Sequence, residues 1–262
     1  MLNGKSILIT GIATDDSIAT ATLRAALRAG ARVRATALPR DLDAVRDVVS
    51  SIDPRVEIDP LDFTDADAVS TWTRERKSEG CRLDGALHAI AFAPRGALDG
   101  AFLGATELDV TQALRTSVWT YAVLARVLDE LRGEHGASLV GLDFDAGGRA
   151  WPIYNWMGVC KAALRESSRY VARDLGPRGV RSNLIAAGPL LTRAARGIPR
   201  FELLTNAWEQ TTPMAWDPSD ASPVADVACF LLSDLARAIT GELIHVDGGF
   251  NAMAMSRGLT SS

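Results

Sequence analysis

Tyr154 and Lys161 are the residues of this chain whose types and spacing best suit shared chemistry. They lie seven positions apart in a stretch of helical periodicity, so they occupy one helix face, about two turns apart. A tyrosine with a pKa of about 10 is protonated at neutral pH and can donate a hydrogen bond to a developing oxyanion; a nearby ammonium favours that role. Taken alone, the pair also fits a tyrosine at the core boundary and a surface lysine.

A second motif follows the first predicted strand, where residues 10–19 lead into a helix. Gly11, Ala13 and Ser17 supply the small residues and the helix N-terminus that the pyrophosphate of a dinucleotide needs. The G-x-G-x-x-G pattern is absent, and a glycine after a strand also occurs in simple tight turns. The position of the loop, after a strand and before a helix, is therefore stronger evidence for a dinucleotide site than its amino-acid sequence.

Asp62 and Phe63 follow the third predicted strand. The aspartate can accept the adenine amino group while the aromatic ring flanks the base. The same residues could instead begin a helix, with Asp62, Thr64 or Asp65 as the N-cap.

Residues 87–94 form a predicted strand that ends in small side chains. Small residues at the carboxyl end of a strand allow a cofactor ribose to approach the backbone, although tight central packing would select them too. The loop, the aspartate, this strand and the Tyr154–Lys161 helix occur together in one chain, and this coincidence favours a shared function over the separate structural interpretation of each motif.

Short apolar runs alternate with longer helical segments and predict an α/β fold. We expect a single domain over residues 1–262 with a Rossmann-type, doubly wound parallel seven-stranded sheet and helices on both faces. The predicted strands are residues 6–10, 32–36, 55–58, 83–91, 138–142, 180–186 and 243–246. The predicted helices are residues 18–29, 42–51, 66–79, 106–131, 154–175 and 223–233. Residues 188–216 read as a long irregular loop, which usually has a function.

Composition narrows the function classes. The chain has 262 residues, 47% of them hydrophobic and 23% charged, without an apolar run that could span a bilayer. Its net charge of -4 argues against a nucleic-acid partner. Three cysteines and three histidines are scattered, which predicts reduced thiols and no metal site. The N-terminal residues lack a signal-peptide pattern, so we expect a cytoplasmic protein.

Together these motifs resemble the short-chain dehydrogenase/reductase superfamily, and within it the divergent branch of enoyl-acyl-carrier-protein reductases. The usual superfamily tyrosine lies four residues before the lysine, where this chain has Met157. The longer Tyr154–Lys161 spacing and residues 187–192 and 246–249 resemble the enoyl reductase branch. Residues 141–145 and 154–157 are most similar to the long-chain enoyl reductases of mycolic-acid synthesis.

The resemblance implies hydride transfer from NADH to the β-carbon of a trans-2-enoyl thioester on acyl-carrier protein, in fatty-acid or related acyl biosynthesis. Tyr154 would stabilise the enolate, Lys161 would hold the nicotinamide ribose, and Phe144 would act as a gate beside the substrate, with Met157 also in contact. A homotetramer is expected. The implied cofactor contacts are Gly11, Ile12, Ser17, Ile18, Asp62, Phe63, Ile90, Lys161, Leu190 and Thr192.

Several positions depart from the family pattern. Ala89 replaces a common serine or cysteine, and Leu191 replaces a common arginine. Gly147 and Gly148 lengthen the loop after Phe144, which leaves the placement of that ring open. Residues 192–208 are shorter than in the long-chain enzymes, so we hypothesise a shorter or differently shaped acyl substrate.

The loop of residues 188–216 carries Arg193, Arg196 and Arg200. These arginines could dock an acidic carrier protein, or they could line a solvated helix face.

The second predicted strand ends without the acidic residue that would bind a ribose 2'-hydroxyl, and Arg40 could meet the 2'-phosphate of NADPH. NADH-using members of the branch share these features, which favours NADH. Two alternatives remain: a short-chain reductase of a specialised pathway with another substrate, and a non-catalytic dinucleotide-sensing protein.

Overall fold

The computed structural model describes residues 1–144 and 149–254. Seven parallel strands in this part of the chain form one sheet, which confirms the predicted fold class. They are β1 (Ser6–Ile9), β2 (Arg32–Ala37), β3 (Glu57–Pro60), β4 (Gly85–His88), β5 (Ala137–Asp143), β6 (Val180–Ala187) and β7 (Leu243–Val246). Their spatial order is β3-β2-β1-β4-β5-β6-β7, so the direction of progression across the sheet reverses between β1 and β4.

Helices cover both faces of the sheet. The helices are α1 (Ile18–Arg28), α2 (Leu42–Ile52), α3 (Ala66–Ser78), α4 (Arg95–Leu98), α5 (Glu107–Leu114), α6 (Thr120–Leu131), α7 (Asn155–Leu175), α8 (Arg193–Arg196), α9 (Glu202–Thr211) and α10 (Ser222–Leu232). On β1, Ile7 and Ile9 pack with α1, α2 and α10, whereas Leu8 packs with α3, α6 and α7. This alternation follows from the two-residue period of a strand. In the described part of the chain, no helix is both long enough and apolar enough to cross a membrane.

The central strand β4 is shorter than predicted. Pairing with both neighbours ends at Leu87 and His88, although the apolar run continues to Ala91. The predicted strand over residues 83–91 was therefore too long, because the chain leaves the sheet where its ladder partners end. The freed residues lie at the carboxyl edge of the sheet, where α/β folds place their ligands.

The predicted helix over residues 106–131 is interrupted. A wider π-helical turn, Arg115–Trp119, separates α5 from α6. Within it, the buried Ser117 hydroxyl accepts a hydrogen bond from the Phe92 backbone N–H at 3.0 Å and donates one to the Phe92 carbonyl oxygen at 2.9 Å. This side chain thus ties the interruption to the segment that follows β4; such turns often occur near functional sites.

Residues 188–216 are not the irregular loop that the sequence predicted. They contain α8 and α9, separated by a short stretch that includes Pro199. Thr192 caps α8, and α9 buries Leu204 and Trp208 on one face. Because these positions are four residues apart, they lie on the same side of a helix and can pack together.

Candidate active site

The candidate site lies at the carboxyl edge of the sheet, where Gly11 follows β1. Gly11 has a φ of +79°, and a Cβ atom there would lie 2.1 Å from the carbonyl oxygen of Ala89. Only glycine satisfies both the left-handed backbone and this close approach. The loop therefore lies against the residues that follow β4, at the switch point between β1 and β4, where open α/β sheets bind ligands.

Ser17 fixes the beginning of α1. Its Oγ atom accepts a hydrogen bond from the Thr20 backbone N–H at 3.1 Å, and the Thr20 hydroxyl donates to the Thr14 carbonyl oxygen at 2.7 Å. Ile12 is buried beneath the loop and Ile18 packs against the same core. These contacts hold the helix N-terminus, with its free backbone N–H groups, at the sheet edge, which suits a pyrophosphate.

Asp62 lies beyond β3 and does not cap a helix. Its Oδ1 atom accepts hydrogen bonds at 2.8 Å from both the backbone N–H and the hydroxyl of Thr64, while Asp65 caps α3. The Asp62 carboxylate is thus held in a turn at the sheet edge. Phe63 is only 3% exposed and its ring packs into the core. The burial of this ring disfavours the expected contact between the Phe63 side chain and an adenine base.

Three further predicted cofactor contacts follow β4 and β6. Ile90 is partly buried two residues beyond β4, and Leu190 is buried three residues beyond β6. The Thr192 hydroxyl accepts a hydrogen bond from the Ala195 backbone N–H at 3.3 Å as the cap of α8. All three residues therefore lie at the same edge of the sheet as Gly11 and Ser17.

The buried Lys161 side chain extends from α7 to the end of β5. Its Nζ atom donates a hydrogen bond of 2.8 Å to the Leu142 carbonyl oxygen. Burial lowers the pKa of Lys161, while the charge of Asp143 and, to a smaller extent, Cys160 act in the opposite direction. A lysine donates up to three hydrogen bonds, so this ammonium retains donor capacity beyond its contact with Leu142.

Asp143, the residue after the Leu142 acceptor, forms an ion pair with Arg165 of α7. The two charged groups are 2.8 Å apart, and the Asp143 side chain is fully buried. Burial raises the pKa of Asp143, opposed by the charges of Lys161 and Arg165 and by the hydrogen bond from the Phe144 backbone N–H. Sequence reasoning missed this role of Asp143; Arg165, four residues after Lys161 on the same helix face, was the available signal.

Tyr154 precedes α7 and is buried beside Phe144, with ring centroids 4.9 Å apart. Burial raises the pKa of Tyr154, and the nearby Asp143 and Cys160 act in the same direction. The hydroxyl is therefore protonated at neutral pH. Among the described residues it makes no hydrogen bond to another protein group, so its proton is available to a ligand.

Aromatic rings line the far side of Tyr154. The aromatic cluster consists of Phe144, Trp151, Trp208 and Phe250, with Phe144 lying 5.6 Å from Trp151 and 5.5 Å from Trp208 between ring centroids. Trp208 and Phe250 stack at 3.7 Å, and the Trp208 indole N–H donates to the Asp247 carbonyl oxygen at 3.0 Å. Sequence reasoning missed Trp151, Trp208 and Phe250 as residues of the site.

Met157 lies on the first turn of α7 and is buried in the same apolar core as Phe144 and Tyr154. The structure thus brings together all three residues that were expected to contact substrate. Gly147 and Gly148, where the loop was expected to be one residue longer than in the long-chain enzymes, lie outside the described residues.

The three arginines of residues 188–216 do not act as one patch. Arg196, at the end of α8, forms an ion pair with Asp16 in the loop before α1. Arg193 and Arg200 form no ion pair among the described residues and remain exposed. At the other end of the site, Arg40 is exposed and its Nε atom lies 3.6 Å from the Asp41 carboxylate.

Taken together, the residues fit a dinucleotide. Gly11 lets the loop turn tightly against the end of β4, Ser17 presents a helix N-terminus, and Asp62 and Lys161 supply an acceptor and a donor along the same edge. A protonated tyrosine hydroxyl without a hydrogen-bond partner can stabilise a developing oxyanion. Within residues 1–144 and 149–254, no group of three or more histidine, cysteine, aspartate or glutamate side chains could hold a metal ion.

Comparison with known proteins gives matches over nearly the whole chain. A family model described as enoyl-(acyl carrier protein) reductase matches residues 11–251. The enoyl-(acyl-carrier-protein) reductase (NADH) of Mycobacterium avium is 39% identical over 262 residues, covering 95% of this chain and 97% of the relative. The protein of the same name from Mycolicibacterium smegmatis is 38% identical, with the same coverage. The corresponding Escherichia coli enzyme is 35% identical over 97% of each chain.

Proposed function

The chain belongs to the enoyl-(acyl carrier protein) reductase family, and from this membership we propose that it reduces a trans-2-enoyl thioester, bound to acyl-carrier protein, to the saturated acyl thioester. The reaction would serve fatty-acid or related acyl biosynthesis. The observation that carries the proposal is the buried, protonated hydroxyl of Tyr154, which makes no hydrogen bond within the described residues and precedes the helix that carries the buried Lys161.

In this reaction NADH, when bound, supplies a hydride for the β-carbon of the enoyl group. Tyr154 donates a hydrogen bond to the thioester carbonyl oxygen and stabilises the enolate that forms there, before the α-carbon takes up a proton. Lys161 holds the ribose hydroxyls of the nicotinamide half. Phe144 and Met157 border the reacting carbons and keep water away from them.

We assign the remaining cofactor contacts to residues along the carboxyl edge. Thr192 and Leu190 lie at the nicotinamide end because they follow β6, and Asp62 lies at the adenine end because it follows β3. The pyrophosphate belongs between them, at the switch point. The other assigned contacts are Gly11, Ile12, Ser17, Ile18, Phe63 and Ile90, with Phe63 contributing its backbone.

NADH is the proposed cofactor, in agreement with the names of the relatives. The Asp41 carboxylate beside Arg40 partly neutralises the cation that the sequence offers for a 2'-phosphate, and it would repel that phosphate. We therefore expect a lower KM for NADH than for NADPH.

The substrate-binding segment is proposed to be residues 188–216, with a preference for acyl chains shorter than those of mycolic-acid precursors. Trp208 supports this view because its stacking on Phe250 and its bond to Asp247 make one wall of the site rigid. A series of crotonyl, octenoyl, dodecenoyl and hexadecenoyl thioesters tests it. A kcat/KM that keeps rising to the longest chain would contradict a short-chain preference.

Acyl-carrier protein is the proposed partner, and Arg193 and Arg200 are the candidate docking residues because both remain exposed and free of ion pairs within the described residues. Replacing both by glutamate should raise KM for carrier-bound substrate and leave KM for the same acyl coenzyme A thioester unchanged. Equal effects on both substrates would contradict docking.

A cytoplasmic location and a homotetramer complete the proposal. Several large apolar side chains on α5, on the following π-helical turn and on α7 are exposed and could be covered by subunit contacts: Leu108, Trp119, Val159 and Tyr170. Sedimentation equilibrium of the full chain measures the assembly directly.

The first experiment follows NADH and NADPH oxidation by near-ultraviolet absorbance with a trans-2-enoyl thioester, for the wild type and for Tyr154→Phe. Turnover with a loss of about 100-fold or more in kcat for the variant is expected, because the variant lacks the oxyanion donor. NADH binding without enoyl turnover would point to a reductase with another substrate. If β-keto thioesters were inactive too, a dinucleotide-sensing protein would be the better description.

A further inference from the structure

The ion pair between Arg196 and Asp16 joins two loops that are far apart in the chain and in the sheet. The Arg196 Nη2 atom lies 2.5 Å from Asp16 Oδ2, and the Thr14 hydroxyl donates to Asp16 Oδ1, also at 2.5 Å. Both oxygens of the Asp16 carboxylate are thereby used. One aspartate thus connects its own loop with the end of α8.

The two loops leave strands that are not neighbours. Asp16 follows β1 and Arg196 follows β6, and β4 and β5 lie between those strands. With about 4.8 Å between adjacent strands, the strand ends are about 14 Å apart. The pair therefore bridges the carboxyl ends of β4 and β5, at the edge that also carries the Lys161 ammonium and its Leu142 partner.

Each residue of the ion pair lies within one helical turn of a residue that the proposed function assigns to cofactor binding. Asp16 directly precedes Ser17, the cap of α1, and Arg196 lies one helical turn after Thr192, the cap of α8. The Arg196 backbone N–H donates to the Thr192 carbonyl oxygen at 3.1 Å. A change in the position of the Arg196 side chain would therefore move α8, and with it Thr192.

We propose that Arg196 and Asp16 form a latch that positions α8, and with it Thr192, across the bound dinucleotide. The inference rests on the proposed function for the identity of that ligand. Both residues are positioning residues, since they act through Thr192 and Ser17. The latch stabilises the closed arrangement of residues 193–211 before the cofactor arrives, so it lowers the cost of ordering them on binding.

The size of the expected effect follows from exposure. The Arg196 side chain is 66% exposed and that of Asp16 is 37% exposed, so water screens the pair. Pairs of this kind change an equilibrium by up to about fivefold. We expect Arg196→Ala and Asp16→Asn each to raise the Kd for NADH by about two- to fivefold. The double variant should match either single variant, because each change alone already opens the latch.

The chain offers a matched control in Arg24 and Asp15. This pair has the same 2.5 Å separation and uses the carboxylate next to Asp16, but it stays within α1 and its preceding loop. Arg24→Ala should therefore leave the Kd for NADH unchanged. Arg196→Lys, which keeps the charge and can reach a single oxygen, should recover part of the affinity lost in Arg196→Ala.

The experiment titrates the full-length protein and its variants with NADH by fluorescence, and it measures amide hydrogen exchange of residues 193–211 without cofactor. Faster exchange in Arg196→Ala and Asp16→Asn, but not in Arg24→Ala, is expected together with the non-additive change in Kd. Additive changes in Kd, or exchange equal to that of Arg24→Ala, would overturn the latch. A wild type that fails to bind NADH would refute the proposed function, while the exchange data would still decide whether the loops are coupled.

Discussion

The Lys161 ammonium group donates a hydrogen bond of 2.8 Å to the carbonyl oxygen of Leu142, the penultimate residue of β5. This contact holds the Lys161 ammonium group at the carboxyl edge of the sheet, where the loop that contains Gly11 also lies. Asp143, the next residue of β5, offsets the burial of that charge and is itself held by Arg165. The position of the ammonium is therefore set by the strand end as well as by its own helix.

Replacing Lys161 by methionine should weaken NADH binding with little loss of fold stability. The ribose hydroxyls would lose charge-assisted hydrogen bonds, each worth about 1.5–3 kcal/mol, so we expect the Kd to rise by about 10- to 100-fold. Tyr154→Phe serves as the control because it should lose turnover and keep its NADH affinity. Fluorescence titration measures both, and wild-type affinity in Lys161→Met would contradict the assigned role.

Arg165→Met should destabilise the protein strongly. It leaves the buried Asp143 carboxylate without its closest partner, and breaking such a pair costs about 3 kcal/mol or more. The double variant Asp143→Asn with Arg165→Met should recover part of the loss, because the unpaired carboxylate is then gone. The recovery is incomplete because the buried Lys161 ammonium loses the charge that offsets its burial.

Arg169 provides the control for this prediction. It lies one turn further along α7 and pairs with Glu166, but more than half of each side chain is exposed. Arg169→Met should therefore cost less than about 1 kcal/mol in urea denaturation. Equal losses for Arg165→Met and Arg169→Met would show that burial of Asp143 is not the deciding factor.

The buried His88 should make the protein sensitive to acid. Burial, with a smaller contribution from the charge of Lys161, lowers the pKa of His88 from 6.5 to about 3. The unfolded chain therefore binds this proton more readily than the folded one, and stability falls as the pH drops from about 6.5 towards 3. This group alone predicts a loss of about 2 kcal/mol in unfolding free energy between pH 7 and pH 5.

His88→Gln isolates this contribution. Thr120 donates its hydroxyl proton to the Thr116 carbonyl oxygen, so it accepts at 2.9 Å from His88, and a glutamine can make the same donation without titrating. Denaturation at both pH values should show a smaller acid-dependent loss in the variant. Identical losses in the two proteins would exclude His88 as the source.

Local sequence patterns predicted the sheet because buried parallel strands are short β-branched runs. They also predicted that Tyr154 and Lys161 share a helix face, since a seven-residue spacing fixes that relationship in any helix. The structure agrees with the predicted sheet. It does not place Tyr154 and Lys161 on one helix face, because Tyr154 precedes α7 and Asn155 has a φ of +31°, which is not helical.

The aromatic cluster was beyond such reasoning. Phe144, Trp208 and Phe250 come from three distant segments, and only the complete fold brings their rings together. The same holds for Arg196 and Asp16, whose charges carry no local signal of pairing. The helices α8 and α9 escaped detection because they are short and Gly197 and Pro199 separate them.

Gly11→Ala should damage both stability and cofactor binding. A side chain at this position must adopt a φ of +79° and would bring its Cβ within 2.1 Å of the Ala89 carbonyl oxygen, so β1 and β4 would have to separate at the switch point. Gly4→Ala is the matched control, because Gly4 has a φ of +76° and no atom lies within 4 Å of the point that a Cβ would occupy there. The control should lose only about 1 kcal/mol from backbone strain, and Gly11→Ala at least about 2 kcal/mol more. Urea denaturation measures the difference, and equal losses in the two variants would mean that the loop can yield without disturbing the sheet.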